Sequence, residues 1–393
     1  MKICCVGLGY VGLPLAIELS KHYEVTGFDI DRNKIREYRK LDTSVRFTSD
    51  PTQISGHDIF TVCVPTPVDS NRKSDLRAVL GAAEIVGRYG LTGKNQLVIL
   101  ESTVAPGTTE GPFAFKLEEA SGLERGQDFK IGYSPEVINP ADPEHTIDKL
   151  IKVVAGMDDE TTERLADFYG RITRTFKASS IKVAEASKIT ENCQRDVNIA
   201  LMNELNMLYR EMGIDIKEVI KAASTKWNFI RMEPGLVGGH CIPVDPYYLI
   251  DEAHKVGYYP ELLIAAREVN NSVPQYVADI VIEELHGKCT NVVIFGLTYK
   301  PNIDDIRESG SIELANLLKK RGYNVYGHDP MLTREKIESL GIRPFEGQKL
   351  DAAVITVAHS AYLIDGVPIK EDADMVVVDM KRIYKGNNRC VAL

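Results

Sequence analysis

The sequence has no C-x-x-C pair: its seven cysteines, an odd number, stand at 4, 5, 63, 193, 241, 289 and 390. That spacing argues against both a disulfide framework and a zinc site, so no metal is expected and a reducing cytoplasm fits best. No lysine- and arginine-rich block accompanies the formal charge of -9, so the basic patch that neutralises nucleic-acid phosphates is missing and nucleic acid is not an expected partner. No stretch approaches the ~18 consecutive apolar residues of a membrane span. The apolar opening from Ile3 to Leu19 is interrupted by Gly7, Gly9, Gly12, Pro14 and Glu18, and only Lys2 precedes it, which argues against an export signal. A soluble protein is expected, with no membrane partner.

Hydrophobicity is not what is lacking. With 44% apolar and 26% charged residues, the chain has the composition of an ordinary folded protein. Its 393 residues exceed the ~250 to 300 at which one hydrophobic core stops growing, so two compact units are expected. In the first third, β-branched apolar runs alternate with amphipathic stretches: Ile3 to Val6, Val25 to Phe28, Ile59 to Val64, Leu97 to Leu100 and Ile151 to Ala155 read as strands. This alternation predicts a parallel sheet with helices on both faces. From Ile181 to Met212 few breakers occur, and Ile199, Met202, Leu205 and Leu208 recur at helical spacing, which predicts one long helix ended by Gly213. A helix from about Ile216 to Ala223 follows. Strand runs return at Asn291 to Phe295, near Asn324 to Tyr326, and at Ala353 to Val357 and Met375 to Val378, with a helix at Ile312 to Lys320. The expected class is α/β, two doubly wound units joined by a long central helix whose apolar side is suited to a subunit contact.

Residues 7 to 12 read G-L-G-Y-V-G, directly after a strand and opening a helix that should run to about His22. Gly7 suits the tight turn, Gly9 a close approach of backbone to a pyrophosphate, and Gly12 close packing of helix on strand, with Tyr10 and Val11 between them at the cofactor. Asp29 lies 17 residues after Gly12, where its carboxylate can accept both ribose hydroxyls and repel a 2'-phosphate. NAD is therefore the expected cofactor, with Arg32 and Lys34 close by. C-V-P-T-P at 63 to 67 and E-S-T-V-A-P-G-T-T at 101 to 109 each follow a strand, so Thr66 and Thr103 are candidates to touch cofactor or substrate; the alternative is that such hydroxyls cap helices.

E-P-G-L-V-G-G-H-C-I-P-V-D-P at 233 to 246 concentrates chemistry. Gly235, Gly238 and Gly239 would let backbone approach a ligand, His240 polarise, Cys241 attack and Asp245 act as base. Cys4, Cys5 and Cys63 instead fit small core residues in strands. On the long helix Lys188, Asn192 and Arg195 share one face; the plainer reading is a solvated stripe with Glu185–Lys188 and Glu191–Arg195 pairs. In G-L-T-Y-K-P-N-I-D-D-I-R-E-S at 296 to 309, Lys300 and Arg307 suit phosphate.

These motifs, with Y-S-P-E and K-I-T-E-N, occur in an order that resembles the UDP-glucose/GDP-mannose dehydrogenase family along essentially the whole chain. The form G-H-C-I-x-V-D-P-Y-Y-L preceded by K-W-N resembles the branch acting on UDP-N-acetylhexosamines. Enzymes acting on the glucose substrate typically carry serine before the cysteine and lysine after it, where this chain has His240 and Val244. The resemblance implies a homodimer with a Rossmann-like NAD-binding domain (1–178), a central helical segment forming the dimer (179–285) and an α/β domain binding the UDP-sugar (286–393). It implies a four-electron oxidation of the six-position alcohol to a carboxylate, consuming two NAD, through a thiohemiacetal and a thioester on Cys241. Lys188 and Asn192 would stabilise the oxyanion, Asp245 and Thr103 manage protons and water, and Glu136 assist hydrolysis, although Pro140 stands where the glucose-type pattern has a further acid. Lys300 and Arg195 would bind substrate, beside Gly238 and His240, and Arg307 the cofactor. UDP-N-acetylglucosamine is the expected substrate, with the galacto and manno isomers and UDP-glucose as alternatives. Two rivals are a single-step dehydrogenase of the hydroxyacid type, needing no thiol, and a non-catalytic nucleotide-binding regulator.

Overall fold

A computed structural model describes residues 1–69, 71–136, 147–286, 290–370, 372 and 374–393, with the backbone alone of Asp148. Pro140 and Cys289 lie outside the described residues. The chain divides into two compact units, one of Met1–Glu191 with Tyr247–Tyr258, the other of Asn192–Pro246 with Tyr259–Leu393.

The first unit is built on β1 (Lys2–Val6), β2 (Glu24–Phe28), β3 (Arg46–Thr48), β4 (Ile59–Val62), β5 (Gln96–Leu100), β6 (Phe129–Tyr133), β7 (Ile151–Gly156) and β8 (Arg174–Lys177). They form one sheet in the order β3-β2-β1-β4-β5-β6-β7-β8. Both faces are covered, because alternate residues of each central strand enter different cores: Cys4, Val6, Val98 and Leu100 on one side, Ile3, Cys5, Leu97 and Ile99 on the other. The expectation of a parallel sheet needs one correction. β7 runs antiparallel to β6, with Gly132 opposite Gly156 and Tyr133 opposite Ala155. Strands β3, β6 and β8 were not foreseen; β3 has three residues, and F-K-I-G-Y and R-T-F-K carry a charge or glycine within a short run.

The second unit contains β9 (Asn291–Phe295), β10 (Asn324–His328), β11 (Arg343–Pro344), β12 (Ala352–Ile355), β13 (Val376–Asp379) and β14 (Arg389–Ala392), ordered β11-β10-β9-β12-β13-β14 and parallel throughout. Val292 and Ile294 face one core, Val293 and Phe295 the other. The expected long helix spans Ile181–Glu211 and the next Ile216–Ala223. The helix after the first glycine motif is shorter than expected, Gly12–Leu19. A second long helix, Glu261–Leu285, was not foreseen because Pro274 interrupts its pattern. Proline inside a helix costs ~3 kcal/mol; here buried Val273, Val277, Ile280 and Val281 pack that helix into the core of its unit and offset the loss. Among the described residues no helix is long and apolar enough to cross a membrane.

Candidate functional site

In the first unit, Gly7 takes φ +88 and donates its N–H to Phe28 O at 2.8 Å. A Cβ at Gly7 would lie 2.5 Å from Cys63 O, and one at Gly12 would lie 1.9 Å from Gly7 O, whereas one at Gly9 would meet nothing within 4 Å. The outer glycines are required by the chain's own packing; the middle one faces open space, where its backbone can approach a ligand. The helix Gly12–Leu19 has no side-chain cap, so its first amides remain suited to an anion. Asp29 accepts the Leu8 N–H at Oδ2 (2.8 Å) and the Asp31 N–H at Oδ1 (2.9 Å). A carboxylate offers about four acceptor directions, so each oxygen keeps capacity for a ribose hydroxyl. Tyr10 is half-exposed, Val11 and Lys34 are half-buried, and the Lys34 N–H meets Asp31 Oδ1 at 3.3 Å. This arrangement fits a dinucleotide with free ribose hydroxyls.

Thr66 and Thr103 occupy the loops after β4 and β5. Ser102 ties those loops together, its Oγ donating to Val64 O (2.7 Å) and accepting the Val64 N–H (3.0 Å), while the Tyr248 hydroxyl donates to the Thr66 and Pro67 carbonyls. The Thr103 hydroxyl makes no hydrogen bond to the described residues; Thr108 and Thr109 are the structural members of that motif, bonded to Ala105 O (2.7 Å) and Glu185 Oε1 (2.6 Å). Glu185 also accepts the N–H groups of Gly107 (2.5 Å) and Thr109 (2.8 Å). Burial pushes its carboxyl up, with those hydrogen bonds working against the shift. The Glu185–Lys188 surface pair is therefore corrected: Glu185 turns inward, and Lys188 faces Glu191 at 3.5 Å. Glu136 is half-buried, three residues past β6.

In the second unit, Asn192 is fully buried, donates Nδ2 to Asp245 Oδ2 at 2.5 Å and accepts from Arg195 Nη2 at 2.7 Å. The Cys241 carbonyl accepts the N–H groups of Val244 (3.1 Å) and Asp245 (2.8 Å), the turn that opens the helix Asp245–Lys255. Cys241 itself is half-buried. The other described cysteines differ. Burial raises Cys4 and Cys63 well above the ordinary thiol and pushes Cys5 up to about 12, as foreseen for core residues; it pushes Cys193 up to about 12 as well, helped by Asp245 and Asp196. Burial, then Arg307, lowers the His240 pKa, so its ring is neutral near pH 7 and can polarise only through a hydrogen bond. Its Nδ1 is 4.0 Å from Asp305, which grips Arg307 through Nε (2.9 Å) and Nη2 (2.5 Å).

The glycines near Cys241 pack closely against their own unit. A Cβ at Gly238 would meet Tyr299 Cβ at 2.7 Å and Glu308 O at 2.8 Å, one at Gly239 the Tyr299 ring at 2.8 Å, and one at Gly235 Lys381 Nζ at 2.9 Å. These glycines admit neighbouring protein side chains and backbone. Gly238 borders a cavity of roughly 150 Å³ lined also by Thr298, Tyr299, Ser309 and Lys381. Lys300, half-buried, adjoins it in sequence and accepts the Thr298 hydroxyl at its carbonyl (3.2 Å). Lys381 was missed. Burial, then Lys217, lowers its pKa, and its signal was a cation just past the carboxyl end of β13, the edge where ligands of such sheets bind.

Three models of one family match: the UDP-glucose/GDP-mannose dehydrogenase NAD binding domain over residues 1–173, the central domain over 182–272 and the UDP binding domain over 293–386. Protein CapL of Staphylococcus aureus is 41% identical over 98% of this chain and 97% of its own. UDP-N-acetyl-D-glucosamine 6-dehydrogenase of Pseudomonas aeruginosa is 41% identical over 92% of this chain and 91% of its own. Among solved structures, a UDP-D-ManNAc dehydrogenase from Pyrococcus horikoshii superposes with a TM-score of 0.86 at 27% identity, covering 99% of both chains.

Proposed function

The chain belongs to the UDP-glucose/GDP-mannose dehydrogenase family, and from that premise we propose that it oxidises the six-position alcohol of UDP-N-acetylglucosamine to the carboxylate through a thioester on Cys241. It is an NAD-dependent dehydrogenase. The acetamido sugar is favoured by the 41% identity to a relative named for that substrate and by His240 and Val244 around the cysteine. The observation that carries the mechanism is local to the second unit: Cys241 opens the turn into Asp245, and Asp245 is held by the buried amide of Asn192.

Bound NAD supplies a hydride acceptor, one molecule for each of two oxidations. The Cys241 sulfur adds to the aldehyde carbon, giving a thiohemiacetal still at the aldehyde oxidation level; its oxidation leaves a thioester, which water cleaves to the carboxylate and thiol. Lys188 and Asn192 stabilise the oxyanion, Asp245 and Thr103 handle protons and water, and Glu136 receives the proton of the hydrolytic water. Gly7, Gly9, Tyr10, Val11, Gly12, Asp29, Lys34, Thr66 and Arg307 serve the cofactor, and Arg195, Gly238, His240 and Lys300 the sugar nucleotide. The enzyme acts in the cytoplasm as a homodimer through the long helix, whose Leu201 and Leu208, seven residues apart, are each about half exposed.

The test is NADH formed per mole of limiting UDP-sugar, with the glucose, N-acetylglucosamine, N-acetylgalactosamine and N-acetylmannosamine forms, in wild type and Cys241→Ser. Two NADH from the N-acetylglucosamine form, lost in the variant, is the expected result. One NADH, unchanged in the variant, would leave a single-step dehydrogenase, and binding without turnover a regulator.

A further inference from the structure

The antiparallel strand β7 has a chemical consequence. In a parallel sheet its first residues would lie at the edge away from the loops that follow β5 and β6. Reversed, with Tyr133 opposite Ala155, they lie alongside residues 134 to 136, and the Ser134 hydroxyl donates to Val153 O at 2.8 Å. Lys152, 2% exposed, is thereby delivered beneath two functional loops at once. Its ammonium donates to Glu101 Oε2 (2.5 Å), to Pro135 O (3.1 Å) and to Ser134 O (3.4 Å). Glu101, 1% exposed, begins the loop that carries Thr103, and its other oxygen accepts the Tyr169 hydroxyl. Burial first, then the Glu101 charge, raises Tyr169 well above an ordinary phenol, so it remains a donor. The Lys152 ammonium also sits 4.8 Å from the centre of the Tyr169 ring.

A buried ion pair is costly, and well-packed apolar residues of similar volume often serve stability as well or better. What apolar residues cannot do is hold two carbonyls and a carboxylate at fixed points. We propose that the Lys152–Glu101 pair is a positioning element for the deacylation step: it fixes the Ser134–Pro135 backbone from which Glu136 projects, in register with the loop bearing Thr103. This rests on the function proposed above, in which water's oxygen bonds to the acyl carbon, the carbon–sulfur bond breaks with its electron pair going to sulfur, and water's proton passes to the Glu136 carboxylate. No electrons leave the system in that step. Lys152 and Glu101 act through Glu136 and need not touch the acyl group.

The experiment is acid-quenched single turnover with NAD and UDP-N-acetylglucosamine, reading acyl mass on the Cys241 peptide, for wild type, Glu136→Gln, Lys152→Met and Glu101→Gln/Lys152→Met. The double variant leaves no unpaired buried charge, so it preserves the fold if the single variant does not. Loss of about an ångström of placement at a reacting group costs on the order of 100-fold. Acyl-enzyme should accumulate in Glu136→Gln and in both Lys152 variants, with deacylation slowed about 10- to 100-fold and KM for the sugar nucleotide within about twofold of wild type. If the double variant deacylates at the wild-type rate, or loses both oxidations equally without acyl accumulation while Glu136→Gln accumulates it, the positioning role is overturned. If Glu136→Gln also traps no acyl group and wild type yields one NADH, the thioester mechanism itself fails, and this inference with it.

Discussion

The two α/β units repeat one device and complete it differently. In the first, Gly7 (φ +88) follows β1, its N–H bonds Phe28 O, and Asp29 past the next strand accepts the Leu8 and Asp31 N–H groups. In the second, Gly296 (φ +96) follows β9, its N–H bonds His328 O at 2.9 Å, and Asp329 accepts the Leu297 (2.7 Å) and Met331 (2.8 Å) N–H groups. There the likeness stops. Asp329 Oδ2 also receives the Thr298 N–H (3.0 Å), the Thr298 hydroxyl (3.1 Å) and His359 Nε2 (3.1 Å), so the protein fills that oxygen and leaves no two-oxygen grip for a ribose. The difference teaches that an acid after the second strand reads a ribose only if the protein leaves its lone pairs available.

Removing each acid should separate the two roles. The largest effect is expected of Asp329→Ala, which strands buried N–H groups and His359; a loss of about 3 to 5 kcal/mol in urea unfolding is the expected outcome, and NAD affinity in the remaining folded protein should not change. Asp29→Ala should spare most of the stability but weaken NAD about 10- to 100-fold by fluorescence titration, from charged hydrogen bonds worth about 1.5 to 3 kcal/mol each. His359→Gln, which keeps one donor near Asp329, should cost less than Asp329→Ala, about 1 to 2 kcal/mol. The smallest effect concerns pH. Burial is the first cause lowering the pKa values of His57, His240 and His328 below the ordinary 6.5. The unfolded chain then takes up protons near 6.5 that the folded chain refuses, so this stability is fully present above 6.5 and falls as pH drops through the lowered values. The slope should not exceed about 1.4 kcal/mol per pH unit for each histidine and should decrease in His57→Asn.

Much of this comparison was legible in the sequence, because glycine spacing and strand periodicity act locally. G-L-G-Y-V-G and the strand before it specify a turn wherever they occur, and Asn291–Phe295 is a continuous apolar run whose alternate residues feed two cores. What was not legible depends on partners distant in sequence. Glu185 reads as a surface residue until Gly107 and Thr109 arrive from 76 to 78 residues away. The reversal of β7 leaves no mark in its composition, yet it brings Lys152 to the edge that matters. Gly238 and Gly239 signalled close approach correctly, but not that the approaching group would be Tyr299.

The most direct measurement is calorimetric titration of NAD into wild type and Asp29→Ala. One NAD per chain, with binding weakened at least about 10-fold by the substitution, is the predicted result. Two NAD per chain, or a single site indifferent to Asp29, would contradict the assignment of the cofactor's ribose to Asp29 of the first unit.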